Sequence, residues 1–281
     1  MNYNELWRQL AQVYETGEAK AIARMVYEER CGLNFSDILL GKDTHLSEHM
    51  QEDLKKIAQR LLRNEPVQYV LGEAEFCGRS FYVEPGVLIP RPETEELCAL
   101  AEKQRREGGS GCTILDIGTG SGCIAVTLAA DMPDTQVTAW DVSEKALAVA
   151  QKNAKRHGVT IHFQQVDILT MAHEGSPQAA FDIIVSNPPY ILNKERENME
   201  KNVLEYEPDI ALFVPDENPL CFYRAIASLG TTALKAGGSL CFEINPLCVK
   251  ALSEMLSTMS YRDINVYKDQ YGRQRLLSAK R

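Results

Sequence analysis

The sequence predicts an α/β protein: a doubly wound sheet of seven strands, preceded by a small helical bundle. Three observations predict it. From Cys112 onward, short apolar runs rich in β-branched residues alternate with stretches of helical spacing. The glycine turn Gly118-Thr119-Gly120-Ser121-Gly122 lies between the first of these strands and its helix. Before them, residues 2–64 carry apolar residues at helical spacing and little strand character.

The elements follow in order. Leu6, Leu10 and Val13, then Ala19, Ile22, Ala23 and Val26, recur at the helical period. Ser36 opens a short helix carrying Ile38, Leu39 and Leu40, stopped by Gly41. Ser47 is a good N-cap for a helix through Leu54, Ile57, Ala58, Leu61 and Leu62. Residues 1–64 are therefore expected to form a bundle of about four or five helices, either a stabilising cap or a docking surface. Residues 65–86 read as a β-hairpin linker, with strands at 67–70 and 79–83. Residues 87–281 make the larger domain. It opens on Leu88-Ile89-Pro90-Arg91-Pro92-Glu93-Thr94-Glu95, a proline-bounded turn leading into a helix. Arg91 and Glu93 there read either as capping charges or as a wall of a site. Residues 108–111 read as a flexible connection.

Strands are expected at 112–117, 137–141, 160–166, 181–185 and 239–244, with 262–268 and 274–278 closing the sheet as an antiparallel pair. Helices are expected at 123–130, 143–156 and near 219–235, with a polar insertion at 193–218.

Composition narrows the function. The formal net charge of −9 argues against a chain devoted to binding nucleic acid, which needs a positive footprint. No apolar run approaches the roughly 20 residues that span a bilayer. The polar, amphipathic N-terminus lacks a signal-peptide core. The eight cysteines form no C-x-x-C pair and no cluster at metal spacing. The expectation is a reduced, cytoplasmic protein without metal.

Two motifs carry chemistry. In the first, Asp116-x-Gly118-x-Gly120-x-Gly122 ends a strand and opens a helix, so backbone can approach a ligand closely. Its spacing differs from the G-x-G-x-x-G of dinucleotide folds, and no Lys follows the glycines to hold a triphosphate. Asp141, at the tip of the second strand, is placed to accept from both hydroxyls of a ribose. Asp167 ends the third strand and suits an adenine amino group, with Ile168 packing on the ring. Each Asp also reads as a helix N-cap. An adenosine ligand without phosphates, such as S-adenosylmethionine, fits best.

The second motif is Ser186-Asn187-Pro188-Pro189-Tyr190, directly after the strand at 181–185. The prolines donate no N–H and fix φ, so the strand ends in a stiff, extended loop. Asn187 has an amide that both donates and accepts, and Tyr190 adds an aromatic face. Together they suit a planar, uncharged NH2 group.

The glycine turn, Asp141 and this loop resemble the Rossmann-like class I S-adenosylmethionine-dependent methyltransferases that act on planar nitrogen. Two groups share the loop: DNA adenine-N6 methyltransferases, and glutamine-N5 methyltransferases acting on peptide chain release factors. The second group (HemK-like) is the better match. Its resemblance rests also on Pro66-Val67-Gln68-Tyr69-Val70-Leu71-Gly72, the segment 88–95, Tyr206-Glu207-Pro208 and Lys268-Asp269-x-x-Gly272-Arg273-x-Arg275.

The resemblance implies N5 methylation of the glutamine in a release factor's Gly-Gly-Gln loop, with S-adenosylhomocysteine as the other product. It implies Asn187, Pro188 and Tyr190 as catalytic, and Arg91, Asn187, Pro188, Pro189 and Tyr190 as contacts to substrate. Gly118, Thr119, Gly120, Ser121, Gly122, Asp141, Asp167, Ile168 and Asn187 would hold the cofactor. The helical domain would dock the release factor, with no direct nucleic-acid partner, no membrane and a monomeric chain. A DNA adenine methyltransferase would be expected to carry a basic surface or a recognition domain. A non-catalytic cofactor-binding module would have no need of the Asn-Pro-Pro-Tyr loop. One departure stands out: Glu243-Ile244-Asn245, where the family usually has Glu-x-Gly. That segment is expected to lie away from the motif residues and to affect local loop geometry more than activity.

Overall fold

The computed structural model describes residues 1–105, 111–171 and 177–281. Residues 108–110 of the expected glycine-serine connection lie outside these. The chain divides into two compact units, Met1–Glu73 with Glu200–Tyr206, and Ala74–Met199 with Glu207–Arg281.

The first unit is helical. Its helices run Tyr3–Leu10, Thr16–Cys31, Phe35–Leu39, Glu48–Leu61 and Val67–Leu71. Asn2 and Asn34 cap the first and third through reciprocal bonds with Glu5 and Asp37, satisfying amides that have no partner within the helix. Leu6, Leu10, Ala23, Val26, Tyr27, Leu54 and Leu61 form the core. The first helix stops before Val13, which is exposed. The strand expected at 67–70 is instead a helical turn, ended by Gly72 at φ 78°. Tyr69, Val70 and Leu71 are all buried there, so the apparent alternation of Val67-Gln68-Tyr69-Val70 does not describe a two-sided strand. The insertion contributes the helix Lys201–Tyr206 to this unit, where the Tyr206 hydroxyl donates to the Arg63 carbonyl at 2.8 Å.

Two short strands, β1 (Glu73–Phe76) and β2 (Arg79–Tyr82), pair across Cys77-Gly78. The linker hairpin therefore begins after the helical turn and not at Val67. A helix at Pro92–Lys103 follows.

The large sheet contains β3 (Cys112–Ile117), β4 (Thr135–Asp141), β5 (Ile161–Gln165), β6 (Phe181–Ser186), β9 (Leu234–Glu243), β10 (Arg262–Lys268) and β11 (Gln274–Lys280). Two-residue strands β7 (Ile191–Leu192) and β8 (Phe213–Val214) pair separately. The order across the sheet is β10-β11-β9-β6-β3-β4-β5. Neighbours from β9 to β5 run parallel, while β11 is antiparallel to β9 and to β10.

Alternate residues of the central strands enter different cores, as the strand period requires. Ile114 and Ile183 pack with Leu97, Ile124 and Leu128 on one face. Leu115 and Ile184 pack with Tyr223, Ile226 and Leu252 on the other. Leu252 lies on a helix, Val249–Thr258, that sequence reading did not assign. After β3 the chain adds strands on one side, and from β6 it adds them on the other. The carboxyl ends of β3 and β6 therefore flank a topological switch point, where open α/β sheets bind ligands.

Candidate active site

The turn after β3 is built by backbone bonds. The amides of Gly118 and Thr119 donate to the Trp140 carbonyl at 2.8 and 3.0 Å, tying the turn to the end of β4. Asp141 completes the tie: its two carboxylate oxygens accept from Gly120 N at 2.8 Å and Ser143 N at 2.9 Å. Gly118, Gly120 and Gly122 have φ of 76°, 57° and 80°, where side chains are strained. A Cβ on Gly118 or Gly120 would meet nothing within 4 Å, whereas one on Gly122 would lie 2.9 Å from the Ala150 Cβ. Gly122 thus lets two helices pack, and the other two keep backbone bare beside open space.

That space is one cavity at the switch point. Gly118, Thr119, Gly120, Ser121, Asp141, Asp167 and Ile168 line it. Arg91, Asn187, Pro188 and Pro189 line it too, so most residues expected to act on cofactor or substrate converge there. Gly122 and Tyr190 are not among its walls. The Tyr190 ring packs against the core behind β6 and β9.

The charges of the cavity have a clear sense. Asp141 and Asp167 line it with Arg91, whose guanidinium is already paired with the buried Glu207 carboxylate. The other Glu207 oxygen accepts from Ile89 N at 3.1 Å, which holds the proline-bounded turn in place. Such a lining favours a cation and repels phosphate. Burial pushes the Asp141 carboxyl above its ordinary range, opposed by the amides of Ser143 and Gly120. Beneath the turn, Asp116 is fully buried, and burial raises its carboxyl to about 7, with the Thr119 hydroxyl bond opposing. Asp167 also caps its own loop, its Oδ1 accepting from Leu169 N at 2.9 Å.

The Asn-Pro-Pro-Tyr loop is held from behind. Ser186 at the end of β6 donates to the Ile117 carbonyl of β3 at 2.6 Å. Asn187 Nδ2 donates to Thr94 Oγ1 at 3.1 Å, and Thr94 Oγ1 donates to Glu243 Oε2 at 2.7 Å. The Tyr190 hydroxyl donates to Glu243 Oε1 at 2.8 Å. Asn245 Nδ2 donates to the Tyr190 carbonyl at 3.0 Å. The segment Glu243-Ile244-Asn245 therefore does not lie away from the motif residues; it supports the loop directly. Parallel pairing of β6 with β9 sets Ser186 opposite Phe242, which brings the two carboxyl ends together. Sequence reading missed Thr94 and Glu243 as site residues. Both stand in segments that the family resemblance covers, 88–95 and Glu243-Ile244-Asn245, but nothing in either residue type marks it as part of the site.

Comparison with known proteins decides the family. A release factor glutamine methyltransferase of Bacteroides thetaiotaomicron is 47% identical over 272 residues, covering 97% of this chain and 96% of that protein. The chain belongs to the release factor glutamine methyltransferase family. A second such methyltransferase, from Flavobacterium psychrophilum, is 42% identical and covers 95% of this chain and 94% of its own. Residues 4–72 match the family described as PrmC N-terminal domain, and residues 99–206 that described as methyltransferase small domain. A methyltransferase structure from Pyrococcus furiosus shares the fold, with a TM-score of 0.52 at 18% identity over 80% of this enzyme and 98% of that chain. Among the described residues of the methyltransferase, no helix is long and apolar enough to cross a membrane.

Proposed function

We propose that this methyltransferase transfers the methyl group of S-adenosylmethionine to the side-chain amide nitrogen of the glutamine in a release factor's Gly-Gly-Gln loop. The observation that carries the reading is the meeting, in one cavity, of the glycine turn with its Asp141 and the stiff loop bearing Asn187. The cavity suits the cofactor. Bare backbone at Gly118 and Gly120 leaves room for it, and carboxylates without a free guanidinium suit a sulfonium. Asp141 would bind the ribose hydroxyls, with Asp167 and Ile168 at the adenine. Bound there, S-adenosylmethionine supplies an electrophilic methyl.

An amide nitrogen is a weak nucleophile because its lone pair is delocalised into the carbonyl. The contribution of Asn187 Oδ1 and the Pro188 carbonyl is to accept the two amide hydrogens. That aims the lone pair and stabilises the positive charge growing on nitrogen. The nitrogen exchanges one hydrogen, released as a proton, for the methyl. Tyr190 acts from behind the loop, through Glu243, and the helical unit serves to dock the factor. A pocket built for two N–H donors rejects groups that leave its acceptors unpaired.

The test is transfer of labelled methyl from S-adenosylmethionine to a purified release factor, beside a Gln→Ala variant of its Gly-Gly-Gln loop and a DNA control. Label on the unaltered factor alone is expected. Label on DNA, or equal label on the Gln→Ala factor, overturns the reading.

A further inference from the structure

We propose that Glu243 and Thr94 are positioning residues that fix the side-chain amide of Asn187 in one of its two orientations, oxygen toward the cavity and nitrogen toward the protein. The proposal rests on the reading of Asn187 as acceptor for the substrate amide.

An Asn side chain is nearly symmetric in shape, and a half-turn exchanges its acceptor for a donor. Turned the wrong way, Asn187 would present N–H to the N–H of a glutamine. The protein therefore has to break the symmetry, and a directional chain of bonds does so. Glu243 is 2% exposed and, when ionised, can only accept. A hydroxyl carries one proton, and Thr94 gives its own to Glu243 Oε2 at 2.7 Å. Thr94 Oγ1 is then left with lone pairs alone facing Asn187. Only the NH2 end of Asn187 can meet them, as it does at 3.1 Å. Thr94 is itself 3% exposed, so bulk water scarcely reaches its oxygen.

The surroundings of Glu243 fit that task. Its other oxygen accepts the Tyr190 hydroxyl, so both oxygens are committed as acceptors. Burial pushes the Glu243 carboxyl up, and Glu93 adds to the rise; the Thr94 and Tyr190 hydroxyl bonds and the charge of Arg275 on β11 oppose it and favour the ionised, accepting form. Asp269 pairs with Arg275 at 3.7 Å, and the Tyr223 hydroxyl bonds the Glu243 carbonyl. Thr94 and Glu243 stand 149 positions apart, and their pairing brings the proline-bounded turn and the end of β9 to one residue of the Asn-Pro-Pro-Tyr loop.

Two measurements test the proposal. The first uses the unaltered chain with 15N-labelled asparagine, the Asn187 NH2 signal being assigned with an Asn187→Ala variant. A donor bonded to a buried hydroxyl exchanges slowly, so protection of the bonded NH2 hydrogen is expected. Exchange as fast as that of exposed asparagines overturns the proposal, whatever the substrate proves to be. The second compares kcat of Thr94→Val, Thr94→Ala and Thr94→Ser on a release factor. Val and Ala are expected to lower kcat about 10- to 100-fold, with KM and the cofactor Kd within about threefold of normal. Ser keeps the relay and is expected to restore kcat to within about threefold. Val or Ala variants that retain full kcat, or a Ser variant as slow as Ala, overturn it. Should the unaltered enzyme not methylate the factor at all, the functional reading fails, and the exchange measurement alone decides the positioning role.

Discussion

The carboxylate of Asp141 accepts from the amide of Gly120 at 2.8 Å, so the tip of one strand grips the glycine turn of its neighbour. This bond explains why an acid is needed at this tip even before any ligand arrives. The turn carries its glycines at positive φ and would otherwise sample many shapes. With both oxygens engaged by Gly120 and Ser143, the carboxylate shapes the turn and still keeps lone pairs for a ribose.

Asp141→Asn should therefore damage cofactor binding in two ways. The amide replaces one acceptor by a donor, which then faces a backbone N–H. Losing one charge-assisted bond costs about 1.5–3 kcal/mol. Calorimetry should show the S-adenosylmethionine Kd rising roughly 10- to 100-fold. An unchanged Kd would mean that cofactor binding depends neither on the carboxylate's tie to the turn nor on a bond from it to the ribose.

Gly122 tests the packing side of the same turn. Its φ is 80°, and an added Cβ would come 2.9 Å from the Ala150 Cβ and 3.1 Å from the Ala150 Cα. Backbone strain of about 1 kcal/mol and overpacking of about 1–3 kcal/mol should combine. Gly122→Ala is expected to lose roughly 2–4 kcal/mol in denaturant unfolding. Gly120→Ala has open space around its Cβ and should lose only the backbone share, while blocking the cavity.

These contrasts bear on what could be read from the chain. The sheet was legible because its strands are apolar runs on a buried scaffold, and their period survives any tertiary context. The glycine turn and the Asn-Pro-Pro-Tyr loop were legible because each strand end demands special backbone. Val67–Leu71 was misread because Tyr69, Val70 and Leu71 are consecutive buried residues of a helical turn. Thr94 and Glu243 were missed for another reason. Their function lies in meeting each other across 149 positions, and neither residue type is unusual where it stands. The contact of Asn245 with the Tyr190 loop is invisible in the sequence, which does not tell which strand ends meet.

Asn245 now has a definite role. Its Nδ2 donates to the Tyr190 carbonyl and to Glu195 Oε2, both at 3.0 Å, and its Oδ1 accepts from Leu247 N at 2.9 Å. Its φ of −74° does not call for glycine. Replacing it by the residue common in the family should leave the half-buried Tyr190 carbonyl without its donor. Asn245→Gly is expected to lose about 1–3 kcal/mol on urea unfolding. A variant as stable as the original would show that the three bonds contribute nothing net.

Asp116 makes the stability of the enzyme depend on pH in a direction opposite to that of most carboxylates. Burial raises its carboxyl from 3.8 to about 7 in the folded chain. The folded state therefore keeps a proton that the unfolded state has already lost. By linkage, stability falls as pH rises from about 4 to about 7 and levels off above. Three pK units correspond to on the order of 4 kcal/mol, an upper bound for one group. Asp116→Asn cannot ionise, yet its oxygen can still accept the Thr119 hydroxyl, now bonded at 2.6 Å. Thermal unfolding of the cofactor-free protein should show the variant gaining on the unaltered enzyme between pH 5 and pH 8. A stability difference that stays constant over that range would mean that Asp116 is ionised throughout, held by a partner other than Thr119.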